Sequence, residues 1–486
     1  MAETPRLHLL VALLAVVVVC SPGIASAQQA CDARVNNTSQ KLLDCVTVEG
    51  VRAHQAALQA IADANGGTRV SGAPGYDASA RYAAETLTAA GYAVTVQPFQ
   101  FQTFISLTPS VLEQVAPAAG TIDNSILSYS GSGDVTAAVT ALAAPPVDAT
   151  PGCEAADFAG FPAGNIALIS RGACTFAIRA TNAYNAGASG VVLYNNAPGV
   201  LNGTLGNTFT LDIPVTSVTQ AVGQQLAATP GLILRLKTDV FRGIATSYNV
   251  LAETPGGDPA NVVMVGAHLD SVNAGPGIND NGSGAAAVLE IARQTAKVKP
   301  RNKVRFALWG AAEAGLVGST YYVNSLSTDE RAAIALYLDA HMLGSPNHVF
   351  FVLDGDDSDA VGAGPGPAGS DVIERTFEEY FTMAGKPFKG ADFSGRSDYG
   401  PFIGAGIPAG GLFAGAEGIK TAAEAALWGG VAGVAYDPCY HLACDTYANN
   451  SDEALDVNSD GLAYAVLHFA MNTSQINDAK AKGNFK

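Results

Sequence analysis

Residues Asn261 to Lys297 read NVVMVGAHLDSVNAGPGINDNGSGAAAVLEIARQTAK, and this stretch decides the fold. NVVMVGAHL is a continuous apolar run, the pattern of a strand buried on both faces rather than of an alternating, half-solvated one. A polar, Gly-rich loop follows, and GSGAAAVLEIARQTAK then carries small and apolar residues at helical spacing. The alternation continues downstream. KVRFALWG (303–310), IALYLDA (334–340) and HVFFVLDG (348–355) read as strands, and SDVIERTFEEYFTMAG (370–385) as a helix. Apolar strands alternating with helices predict an α/β fold, a mixed central sheet with helices on both faces. In such sheets ligands gather at loops beyond the carboxyl ends of strands, so polar residues between Leu269 and Gly282 lie where a site belongs.

Upstream, VEGVRAHQAALQAIADAN (48–65) and YDASARYAAETLTAAG (76–91) have helical spacing and are split by the loop GGTRVSGAPG; YAVTVQPFQFQ (92–102) alternates like a strand. From about Leu107 to Arg242 the texture changes to short β-rich runs such as NIALISR and GVVLYNN among many Gly and Pro, which suggests an inserted module. The expected division is therefore a leader over 1–27, the first part of the main domain over 28–106, the insert over 107–242, the rest of the main domain over 243–475 and a tail over 476–486.

The 486 residues suffice for a large domain and a second one, each with a sizeable core. The start, one Arg before an apolar run that ends in Ala-Ser-Ala, has the form of a secretory signal cleaved after Ala27. Cys20 lies within it and lacks the Leu and small-residue context of a lipid-anchored cysteine. No later segment approaches eighteen uninterrupted apolar residues, so a membrane span is not expected. Six further cysteines fall into local pairs, Cys31/Cys45, Cys153/Cys174 and Cys439/Cys444. In an oxidising compartment local disulfides are the economical reading, among the several connectivities open to six cysteines. The net charge of −17 opposes binding to nucleic acid or an anionic membrane.

His268 and Asp270 flank Leu269, so in extended chain they point the same way and Asp270 can accept from the ring of His268. Asp280 lies in a Gly-rich loop flexible enough to turn its carboxylate back over the same space. Glu313 follows the strand KVRFALWG, and His441 lies between Cys439 and Cys444 in DPCYHLACD. Taken singly each reads as a turn, capping or solvated residue. Together they are donor types that zinc accepts, and a pair of zinc ions sharing Asp280 accounts for the mixed set and suits hydrolysis of an amide.

GAHLDSV…GPGINDNGSG, the register of WGAAEAGLVGS, GRSDYGPF and YDPCYHLACDT together resemble the secreted co-catalytic di-zinc aminopeptidases related to leucyl aminopeptidase. The segment ALISRGACTFAIRATNAYNAGASGVVLYNN resembles the protease-associated domain that some of them carry. The resemblance spans nearly the whole mature chain. It implies two zinc ions per chain, a peptide or small amide substrate, and removal of single N-terminal, usually apolar, residues. His268 and Asp280 would serve the first zinc, Glu313 and His441 the second, with Asp280 bridging; Arg396 and Tyr440 would hold substrate or the developing oxyanion, and Met342 and Phe413 would wall the side-chain pocket.

The chain departs from that pattern twice. The resembling enzymes have adjacent glutamates, the first a general base and the second a ligand. Gly315 to Ser319 fixes the register, so Ala312 stands at the base position and Glu313 at the ligand position. In LYLDAHMLGSPN, where the family has Asn, an aromatic and a zinc-binding Asp, this chain has Asp339, Ala340 and His341. Imidazole is an ordinary zinc ligand, so His341 completes the first position, and Asp339, on the same strand face, is placed to orient that ring or return negative charge. Two carboxylates have gone, leaving the pocket two units more positive, which favours ionisation of water and disfavours a substrate ammonium. Ala312, Ala314 and Ala340 would also enlarge the site. Three readings follow: a slow zinc aminopeptidase, a same-fold hydrolase or transferase acting on a blocked or anionic amine end, and a metal-holding protein without catalysis. DGDDSD (354–359) has oxygen donors of the kind calcium takes, with a solvated loop as the plainer reading. Asn202-Gly-Thr is a glycosylation sequon that matters only in a glycosylating host.

Overall fold

The computed structural model describes residues 30–479 except 32, 198, 200, 202, 361 and 363. The expected leader, Asn202 and the end of the tail lie outside these residues. No helix among the described residues is long and apolar enough to cross a membrane.

Strand Asp258–His268 lies at the centre of the main sheet, parallel to Asn302–Trp309 on one side and to Ile334–His341 on the other; Ala409–Phe413 continues the parallel set. Phe351–Leu353 and Lys389–Ala391 finish this edge, and Ile233–Glu253 and Ala93–Ala116 run antiparallel at the other. The register sets Trp309 opposite His268 and His341 opposite Phe413, so the carboxyl ends of the parallel strands finish close to level. Side chains divide with the period of two. Val263, Val265, Leu336 and Leu338 enter a core with helices Val48–Ala64, Gly282–Thr295, Ser370–Ala384 and Asp452–Met471, whereas Met264, Trp309 and Tyr337 enter a core with Tyr322 and Phe402 on the opposite face. The expected mixed sheet covered on both faces is thus present.

Strand His348–Gly355 is shorter than its apolar run suggests, covering only Phe351–Leu353. Glu374 accepts from the N–H groups of Gly355 and Asp356, and Asp354 from those of Ser358 and Asp359, which closes the acidic run into a turn. Strand Ala409–Phe413 has two glycines that hid it in the sequence. A Cβ at Gly411 would lie 2.4 Å from the Asp339 carbonyl oxygen, so close strand approach demands glycine there.

The insert is reached through a two-stranded ribbon: Ala93–Ala116 pairs with Ile233–Glu253 from Ala93 opposite Glu253 to Ala116 opposite Ile233. Residues 107 and 242 therefore lie inside continuous strands, with a register shift between Ser106 and Thr108. Beyond the ribbon, Gly133–Ala141, Ile166–Ser170, Gly190–Tyr194 and Val215–Val218 form a parallel sheet around a core of its own. The three local disulfides are formed, with S–S lengths of 2.05, 2.11 and 2.04 Å.

Candidate metal centre

His268 is the last residue of the central strand, and the loop after it is held from below by Arg69, a wholly buried residue of the loop GGTRVSGAPG. Its guanidinium donates to the carbonyls of Leu269, Pro276 (2.8 Å) and Gly277 (2.6 Å), and its N–H donates to Ser271 Oγ at 2.8 Å. Burial lowers its pKa to about 10, with Asp270 and Asp445 opposing, so it remains a cation at neutral pH. Asp445, next to the Cys439–Cys444 disulfide, accepts from the N–H groups of Asn279 (2.8 Å) and Asp280 (2.9 Å). Asn281 then caps helix Gly282–Thr295 by accepting from Gly284 N–H. Asp280 is thereby fixed between an arginine clamp, a carboxylate clamp and a helix start.

All five expected ligands converge. His268 Nε2 lies 3.3 Å and His341 Nε2 3.5 Å from Asp280 Oδ1, while His441 Nε2 lies 3.1 Å from Asp280 Oδ2 and 3.2 Å from Glu313 Oε2. His268, Asp280 and His341 form one group whose donor atoms lie within 4.8 Å of one another; Asp280, Glu313 and His441 form a second. The fit to cations is carried by two buried atoms: Glu313 Oε1 accepts no hydrogen bond, and Asp280 Oδ1 accepts none of good geometry, facing only the ring nitrogens of His268 and His341 at 3.3 and 3.5 Å. Buried carboxylate oxygens are rarely left so unless another group satisfies them.

The charges agree with that fit. Burial alone would lower the pKa of His268, but hydrogen bonds and charge from Asp270 and Asp280 raise it well above the usual value; His441 is pushed up to about 10 by Asp280 and Glu313 against the same burial penalty. Asp280, despite burial, is held well below the carboxylate range by His268, His341 and His441. Glu313 is raised, by burial first and then by the charge of Asp280. Without metal these shifts favour the imidazolium forms of His268 and His441, whereas metal ligation requires neutral imidazole. Zinc uptake at pH 7 is expected to release protons, and apparent affinity to rise with pH toward about pH 10, where His441 titrates. Calorimetry in buffers of different ionisation enthalpy counts those protons, and uptake without proton release would contradict the assigned imidazole states.

Asp270 acts on both sides of the cluster. His268 Nδ1 is 3.2 Å from the Asp270 backbone carbonyl and 3.6 Å from its carboxylate, so the backbone is the nearer partner of the ring. The carboxylate accepts from the N–H groups of Ala312 (3.1 Å) and Glu313 (3.2 Å), tying the glutamate's turn to the histidine's strand. Asp339 is buried and takes a hydrogen bond from Tyr337 Oη at 3.2 Å; none of its described hydrogen bonds reaches the His341 ring, which instead stacks on Phe413 at 5.5 Å. Met342 is fully buried, its N–H donating to Asn281, which leaves Phe413 as the partly exposed apolar side chain beside the cluster. Ala314 is exposed, and Ala340 lies in the core on the other face of the sheet, so the expected enlargement of the site at Ala340 does not occur. Tyr440 stacks on His441 at 3.9 Å; burial, with Asp280 and Glu313, raises its pKa and keeps the phenol protonated. Arg396 is exposed and pairs with Glu417 at 3.1 Å.

Arg69, Asp445 and Asp398 were not singled out by the sequence reading. Asp398 of GRSDYGPF is wholly buried, accepts from Ser319 Oγ at 2.6 Å, and has its pKa raised to about 7, by burial first and by Asp339 in part. In the acidic turn, Asp354, Asp356 and Glu374 come together, but their carboxylates already accept backbone N–H groups.

Comparison with known proteins adds independent findings. The profile of Peptidase family M28 matches residues 249–466 and that of the PA domain residues 135–226. An aminopeptidase of Pseudomonas aeruginosa is 47% identical over 459 residues, covering 91% of this chain and 84% of the relative. A probable lipoprotein aminopeptidase of Mycobacterium tuberculosis is 44% identical, covering 88% of this chain and 86% of that one. Among solved structures, that of a zinc aminopeptidase from Bacillus subtilis superposes with a TM-score of 0.64 at 26% identity, covering 90% of this chain and 98% of its own.

Proposed function

The chain belongs to Peptidase family M28 and carries a PA domain, and on that premise we propose that it is an exported zinc aminopeptidase that removes N-terminal residues slowly. The observation that carries the proposal is the convergence of His268, Asp280, Glu313, His341 and His441 around buried carboxylate oxygens that lack well-formed hydrogen bonds. His268, His341 and Asp280 would hold one ion, and Glu313, His441 and Asp280 the other. Bound zinc supplies Lewis-acid polarisation of the scissile carbonyl.

The chain's own groups handle the rest. Asp270 keeps His268 and Glu313 in mutual register. Tyr440, protonated and packed on His441, offers an O–H donor to the oxygen that gains charge during attack. Phe413 gives the pocket an apolar wall, which favours an apolar N-terminal residue. Ala312 offers no carboxylate to move the proton of the attacking water, so that transfer falls to solvent, at a cost of about 10²- to 10⁴-fold in rate. Asp339 and Asp398 lie buried behind the cluster, where burial raises the pKa of both carboxyl groups. Three disulfides agree with export.

Purified, zinc-loaded protein is expected to hydrolyse leucyl-nitroanilide and leave the N-acetylated analogue intact. Preferential cleavage of the blocked compound would replace this reading with an altered-substrate hydrolase, for which the positive pocket argues, and cleavage of neither would leave a metal-holding protein.

A further inference from the structure

The two metal positions are built from unlike donors. Around Asp280 Oδ1 stand two imidazoles, His268 and His341, giving two nitrogens and one oxygen; around Asp280 Oδ2 stand one imidazole and a carboxylate, His441 and Glu313, giving one nitrogen and two oxygens. Their surroundings differ in the same sense. At the first, the side chains of His268 and His341 are 5% and 21% exposed, Asp270 fixes the His268 ring through Nδ1, and Phe413 stacks flat on His341 with an interplanar angle of 9°. Both rings thus present Nε2 in a fixed direction. At the second, His441 is 35% exposed and Glu313 15%, and no ring nitrogen other than that of His441 contributes. The first position is nitrogen-rich and somewhat more enclosed, the second oxygen-rich and opened chiefly by His441.

Imidazole favours zinc, cobalt and nickel over manganese and magnesium, whereas carboxylates with retained water suit the harder ions. Resting on the two-metal reading above, we propose that the protein sorts metals between its positions: the His268–His341–Asp280 position selects a borderline ion such as zinc, and the Glu313–His441–Asp280 position accepts a hard ion such as manganese. Offered both, the chain carries an unlike pair. His341 is the residue responsible, because a carboxylate in its place would give both positions one nitrogen and two oxygens.

The test strips the full-length protein with chelator, confirms uptake with zinc alone, and then supplies one equivalent of zinc with excess manganese. Elemental analysis is expected to find about one zinc and about one manganese per chain, and electron paramagnetic resonance the spectrum of isolated Mn²⁺, since zinc is diamagnetic. In His341→Asp the preference for zinc over manganese at the first position should fall at least about tenfold, and manganese pairs with exchange-coupled spectra should appear. Coupled pairs in the unaltered protein, or chains holding two zincs beside chains holding none, would overturn the proposal even if His341→Asp failed to fold. Fewer than about two zincs per chain at saturation would overturn the two-metal reading and the sorting with it, whereas two metals without sorting would overturn the sorting alone.

Discussion

Ala312→Glu is expected to raise kcat on leucyl-nitroanilide by about 10²- to 10⁴-fold, equivalent to lowering the barrier by about 3 to 5 kcal/mol. Residue 312 lies in the turn after strand Asn302–Trp309, with its N–H anchored on Asp270 Oδ1 at 3.1 Å and its neighbour Glu313 inside the cluster. A carboxylate added there would start from backbone already fixed beside the reacting carbonyl, as proton carriage requires. It would also cancel one of the two positive charges by which this pocket exceeds a pocket with the full carboxylate set, so a free ammonium substrate should bind no worse. Ala312→Gln separates the two contributions, because it adds similar bulk with neither charge nor a useful base. The expected pattern is a large gain with Glu, a negligible one with Gln, and a new acidic limb in the pH profile of kcat/KM. If Glu at unchanged metal content gave no gain, the missing base would not be what limits turnover.

The parts of this site that were legible in the sequence are those set by local chain geometry. His268, Glu313 and His341 stand at or just beyond the ends of apolar strands, and the fold rules for parallel sheets bring such ends together. Asp280 could be placed because it immediately precedes a helix. The parts that were not legible depend on contacts between distant segments. Arg69 clamps carbonyls some two hundred residues away, and Asp445 reaches back to the N–H groups of Asn279 and Asp280. Neither residue has a local pattern that distinguishes it from a surface charge. One misplacement was avoidable from periodicity alone. Ala340 stands between Asp339 and His341, so its side chain must leave by the opposite face, where it is found in the core. Tyr337, two residues before Asp339, shares the aspartate's face and donates a hydrogen bond to it. Helix Asp452–Met471 escaped notice for another reason: its buried residues lie on more than one side, so no single apolar stripe marks it.

Asp280→Asn should remove metal from both positions, whereas Glu313→Gln should empty only the second. Asp280 is the one side chain that offers an oxygen to each group, Oδ1 toward His268 and His341 and Oδ2 toward His441. An amide supplies one neutral oxygen and places N–H donors where the other ion would lie, so both sets lose a charged ligand. Glu313 belongs to one group only. Metal content measured after gel filtration is expected to fall from about two per chain to near zero in the first variant and to about one in the second, with peptidase activity lost in both. The loop should nevertheless keep its shape. Arg69 holds Leu269, Pro276 and Gly277, Asp445 holds the backbone at Asn279 and Asp280, and the Cys439–Cys444 disulfide holds the turn bearing Asp445 and His441, none of which uses the Asp280 carboxylate. Asp280→Asn should therefore unfold cooperatively with the same denaturant slope as the metal-free unaltered protein. Retention of both metals by Asp280→Asn would remove the shared carboxylate from the centre of this argument, and a changed slope would mean that the cluster, rather than its clamps, orders the loop.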